Sequence, residues 1–207
     1  MSDVRPDVPS SPLELRHAST EIPFIVVVPE RRLLVIDGVG HPEATEFRMA
    51  STILRAVHDS VRASLRRHRL TDSPKPIIEI AWLTDAPRSP DDMIVAFSEP
   101  ETLHWRQMIE LPPAATDALA DEAIEATRQL GGRAIPLVKR IAFTEGRAAQ
   151  VLHLGGLMTL SPSVARLCGF VSEAGLQPRG DLHQLVYGDP QATSLDRARS
   201  ILRIPIA

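Results

Sequence analysis

Residues 77–83 read Ile-Ile-Glu-Ile-Ala-Trp-Leu, an apolar, β-branched run with one carboxylate inside it. Such a run predicts a strand. Two-residue alternation places Glu79, Ala81 and Leu83 on one face and Ile78, Ile80 and Trp82 on the other. A fainter copy follows at Gln184-Leu185-Val186-Tyr187, with a polar residue first, a large aromatic three places later and an Asp-containing turn after it. Each copy comes after a helical pattern, so the order strand, helix, strands occurs twice. No glycine fingerprint of a nucleotide-binding sheet accompanies it. Duplication and element order predict two antiparallel α+β modules side by side.

Working outward, Ile25–Val28 and Leu33–Ile36 read as a broken strand closed by Asp37-Gly38. A helix is expected from about Glu43, with Pro42 near its first turn and Phe47, Ala50, Leu54, Val57, Val61 and Leu65 at three- and four-residue steps. Arg55, Arg62, Arg66 and Arg67 fall mostly off that stripe and read as a solvated face. Further strands are expected at Met93–Phe97 and Leu103–Leu111, then a helix over about 114–130 ended by Gly131-Gly132. Ile135–Phe143 and Ala148–Leu154 read as a hairpin turning about Glu145-Gly146. Ser161, as N-cap, opens a helix that closes at Gly175, and strands follow at Leu182–Tyr187 and Ile201–Ile206. Residues 1–20, with Pro6, Pro9 and Pro12, read as a disordered tail ahead of a domain over 21–207.

The 207 residues are 43% hydrophobic and carry 23 basic against 26 acidic side chains, a net charge of −3, enough chain for a core and no electrostatic footprint for nucleic acid or an anionic membrane. The single cysteine, Cys168, excludes a disulfide framework and reads as core beside Val164, Leu167 and Val171. No apolar run spans a bilayer, and no leader pattern opens the chain, so a cytoplasmic location is expected.

Phosphate loops, nucleophile elbows and zinc motifs are absent, and the seven histidines lack metal-ligand spacing. No cofactor or metal is expected. His153 and His183 sit in expected strands where they could approach each other; structural histidines are the simpler reading. Glu79 stands apart, a carboxylate in an apolar strand that faces either water or a cavity. On the next strand Leu103, Trp105, Gln107 and Ile109 share a face against His104, Arg106 and Met108, and Trp105 is either core or a pocket wall.

Several stretches resemble the stand-alone GyrI-like (gyrase-inhibitor-like) small-molecule-binding proteins. These are Pro29–Glu43 with its Asp-Gly-Val-Gly-His-Pro turn, Trp105–Pro112, Glu145–Gly155 and, most specifically, Asp189–Pro205. The resemblance implies two strand-helix-strand-strand modules, about 22–111 and 114–206, in pseudo-twofold arrangement with a ligand groove between them. It implies a hydrophobic or amphipathic small-molecule ligand, held for sequestration or detoxification. Some family members are cyclopropanoid hydrolases, which open electrophilic cyclopropane rings of DNA-alkylating natural products with water. A third reading is a protein partner such as gyrase. Carried over position by position, the family's pocket falls on Glu79, Ala81, Trp82, Trp105, Met108, Leu157, His183, Gln184 and Val186, with Glu79 as the catalytic candidate. Three family aromatics become Leu103, Leu157 and Val186, and a family glutamate becomes Gln184. The implied pocket is more aliphatic and less anionic than the family pattern.

Overall fold

In the computed structural model, residues 20–70, 76–83, 102–131, 137–156, 159–187 and 198–207 are described. The strand expected over Met93–Phe97 and residues 1–19 of the expected tail lie outside them. The elements run β1 (Phe24–Val39), α1 (Thr45–Arg67), β2 (Ile78–Leu83), β3 (His104–Glu110), α2 (Asp117–Gly131), β4 (Lys139–Leu154), α3 (Ser161–Glu173), β5 (Leu182–Tyr187) and β6 (Arg199–Pro205). The six strands close into an antiparallel barrel in the order β1-β3-β2-β5-β6-β4. This is an α+β fold, as expected. Ladders β1–β4 and β2–β5 join the first half of the chain to the second.

Expectations for both long strands and for the start of α3 are corrected. The hairpin about Glu145-Gly146 does not form; residues 139–154 are one continuous strand. Both of its halves pair with β1, through Glu30↔Thr144 on one side and Val28↔Gly146 on the other. Gly146 takes a positive φ of 71°, a conformation that invites a turn but here only kinks the strand. Opposite the kink stands Pro29, which has no N–H for the ladder, and the register passes over that rung. β1 is likewise unbroken over 16 residues.

The kink also exchanges the faces of β1. Ile25 and Leu34 belong to the same helix-covered core although they are nine residues apart, an odd spacing that strict alternation forbids. The expected stripe of α1 lies in that core, with Ala50, Leu54, Val57, Val61 and Leu65 buried. Val164, Leu167 and Val171 of α3 join it, and Cys168 is partly buried against it. Helix α3 starts one residue earlier than expected: Leu160 occupies the N-cap position and Ser161 is the first helical residue. At its other end Gly175, at φ 68°, lets Leu176 N–H reach the Val171 carbonyl.

Aromatic packing fixes the centre of the outer layer. Trp82 and Trp105 are paired across β2 and β3, and Phe47 of α1 stacks on Trp82 at 5.9 Å and meets Trp105 edge-on at 5.0 Å. Gly38 lies directly across β1–β3 from Trp105, and a Cβ there would collide with the indole. Inside the barrel are two smaller apolar groups, Leu33, Val35, Ala81 and Met108 in one and Val26, Val28 and Ala148 in the other.

Candidate active site

A buried charge cluster accompanies those apolar groups inside the barrel. Glu79 on β2 points inward, on the face that it shares with Ala81. Its Oε2 accepts from Arg31 Nη1 at 2.6 Å and its Oε1 from Arg31 Nη2 at 3.1 Å, a two-pronged clamp from β1. The same Oε1 is 2.6 Å from His183 Nδ1 on β5 and 3.4 Å from Arg203 Nη2 on β6. Glu145 at the β4 kink completes the set, with Oε2 accepting from Arg31 Nη2 at 3.2 Å and Oε1 accepting from Arg203 Nε. Arg31 is the most accessible of the five, at 8%.

Two arginines balance two carboxylates, so the cluster is neutral when His183 is neutral. Burial alone would raise the pKa of Glu79. The fields of Arg31 and Arg203 and the hydrogen bond from His183 outweigh it, holding Glu79 well below the usual carboxylate range. Burial would correspondingly lower Arg31, yet Glu79 and Glu145 raise it above the ordinary arginine value. An ionised Glu79 can only accept, so Nδ1 of His183 must carry the proton and donate it. The lone pair of the neutral ring is then on Nε2. That nitrogen bonds to none of the described residues.

The imidazole reaches solvent through a cleft of about 110 Å³ whose wall includes Phe143, Thr144, Glu145, Arg179, Asp181 and His183. Phe143 stacks on the His183 ring at 5.6 Å. The volume is below the roughly 300 Å³ at which drug-sized ligand pockets begin, so it takes a group of a few atoms. Glu79, Glu145 and His183 also bring three ligand atoms within 4.8 Å of one another, the spacing of a cation site. Their carboxylate oxygens are already occupied by two guanidiniums that would repel a cation, and the donor set does not suit a metal.

The expected site residues divide between the two faces of the sheet. Glu79, Ala81, Met108 and His183 are on the interior face. Trp82, Trp105, Gln184 and Val186 are on the helix-covered side, where Trp82 Nε1 donates to Gln184 Oε1 at 3.2 Å. Leu157 lies outside the described residues. His153 and His183 take different partners, His153 Nδ1 lying 2.9 Å from Ser163 Oγ. Burial lowers the pKa of His153, in keeping with a neutral, structural ring.

Arg31, Glu145, Arg203 and Arg179 had not been singled out from sequence. Arg203, a lone cation in Ile-Leu-Arg-Ile-Pro, carried the same signal as Glu79. Glu145 was hidden by the glycine after it, which reads as a turn, and Arg31 by its charged neighbours Glu30 and Arg32.

No protein-family model matches the chain, and no curated protein matches its sequence. Solved structures do match. An uncharacterized conserved protein from Listeria innocua superposes with a TM-score of 0.79 at 23% identity, over 94% of this chain and 96% of that one. A hydrolase from the same organism gives 0.78 at 23% identity, with 94% and 96% covered. The C-terminal domain of EcmrR gives 0.56 at 10% identity, over 89% of this chain and 96% of that one. At these identities the likeness is one of fold: an α+β barrel also built by proteins of those names.

Proposed function

We propose that this protein binds a small amphipathic molecule at the cleft beside His183 and hydrolyses it, with His183 as general base. One observation carries the reading. Glu79 holds the Nδ1 side of the ring at 2.6 Å, and Nε2 bonds to none of the described residues on a ring that lines the cleft. In the step, Nε2 takes a proton from water as the water oxygen attacks the electrophilic carbon. The bond to the leaving group breaks, and the imidazolium returns the proton to that group. Arg31 and Arg203 act indirectly, by keeping Glu79 ionised and therefore an acceptor. The structural likeness to a Listeria innocua hydrolase and the resemblance to the GyrI-like group, cyclopropanoid hydrolases included, support the same class. The pseudo-twofold arrangement of two modules belongs to this proposal too. Exchanging β1, β2 and β3 for β4, β5 and β6 returns the same strand order, which supports it.

Activity is tested against a panel of activated esters, lactones and a cyclopropane-bearing alkylator. Turnover of at least one class is expected, lowered about 10²–10⁴-fold in His183→Gln. No rate above buffer for any class, or full activity in His183→Gln, would overturn the reading. A second reading is binding without turnover. It is favoured by the engagement of both buried carboxylates of the cluster, Glu79 and Glu145, with arginine, which leaves neither of them to act as a base. Thermal stabilisation by compounds that the protein never consumes would establish it.

A further inference from the structure

The geometry points to Arg179 as an anion-recognition residue, which makes the molecule taken at the cleft a small organic carboxylate. Arg179 is held by backbone carbonyls: Nε donates to Ile206 O at 3.2 Å and Nη2 to Glu145 O. Its own N–H donates to Pro205 O at 2.9 Å, which ties the root of the side chain to the end of β6. The guanidinium crosses the β4 kink, and a Cβ on Gly146 would come within 2.8 Å of Nη2. The missing side chain at Gly146 is what lets the cation lie there.

This cation is not neutralised by any described residue. No carboxylate among the described residues pairs with it, and Nη1 bonds to none of them. The nearby carboxylate of Glu145 is taken up by Arg31 and Arg203, and Asp181 has an interaction of its own in which Arg179 has no part. Arg179 therefore sets a guanidinium whose Nη1 bonds to none of the described residues on a cleft wall that it shares with Asp181. A planar guanidinium with free donors matches a carboxylate, and the Phe143 face supplies an apolar wall for the rest of the molecule. The buried Glu79, already shared by two arginines and an imidazole, offers little to a cation.

This inference rests on the proposed use of the cleft but not on turnover. The test is an NMR titration of the full, ¹⁵N-labelled chain with sodium benzoate, neutral benzamide and benzylammonium. Benzoate should give saturable shifts at Gly180, Asp181 and His183, bind at least about tenfold more tightly than benzamide, and outcompete benzylammonium. Arg179→Gln should remove that preference, while Arg128→Gln, at an exposed α2 position outside the cleft wall, should keep it. Equal affinity for benzoate and benzamide, tighter binding of benzylammonium, or no saturable benzoate site would overturn the proposal, and none of these requires a variant to fold. If benzoate binds through Arg179 and no substrate is ever turned over, the carboxylate site stands and the hydrolase reading falls. Turnover of neutral and anionic substrates at equal kcat/KM, with no benzoate preference, gives the reverse.

Discussion

The two faces of the one sheet solve the problem of burial in opposite ways. The outer face, under α1 and α3, is apolar and aromatic, organised by Trp82, Trp105 and Phe47. The inner face buries five ionisable side chains beside a few aliphatic ones. An apolar layer gains from every group that it removes from water and tolerates reshaping. A charged interior gains only while every partner is present, because each ion loses hydration that only its neighbours replace. Stability comes from the first face, and the proposed chemistry belongs to the second.

Substitutions can break or sharpen this contrast. The largest losses should come from Trp82→Ala and Arg203→Met, each about 3–5 kcal/mol in urea unfolding, for different reasons. The first opens a cavity. The second strands a buried carboxylate. Adding Glu145→Gln to Arg203→Met should recover part of the loss, whereas no second deletion should rescue Trp82→Ala. If the Arg203 and Trp82 variants respond alike to such partners, the contrast fails. Next in size, Gly38→Ala should cost about 1–3 kcal/mol by driving a methyl into Trp105, and Trp105→Ala should make that position tolerant.

Acid titration examines the inner face alone. Glu79 has a depressed folded-state pKa, so its contribution is complete above the unfolded value of about 4.3 and declines as pH falls below it toward the folded value. Unfolding free energy should therefore drop with acid below about pH 4.5, and Glu79→Gln should flatten that slope while lowering stability at neutral pH. The smallest effect is expected at the surface. Asp37 meets Arg106 at 2.6 Å and Lys139 at 3.1 Å but is partly solvated, and Asp37→Asn should change stability by under about 1 kcal/mol.

The outer face was the more legible in sequence. The α1 stripe from Phe47 to Leu65 is visible because helix period and burial coincide, and alternation placed Trp82 opposite Glu79. Of the inner charge cluster, local pattern marked Glu79, and the family resemblance added His183. Glu79 stood out as a charge in an apolar strand, while its partners come from positions 48, 104 and 124 residues away and are joined by barrel closure, which no local pattern records. At the β4 kink local chemistry pointed elsewhere: Glu-Gly reads as a turn, but continuous pairing of both halves with β1 keeps the strand extended.

Glu79 has a consequence for how this chain can drift. Because one carboxylate answers to Arg31, Arg203 and His183 together, with Glu145 tying the two arginines a second time, the group behaves as a lock with interdependent tumblers. A lone replacement leaves a stranded charge behind it. Chains that share this barrel should therefore either keep all five residues or exchange several at once for neutral side chains, with few intermediates between those two solutions.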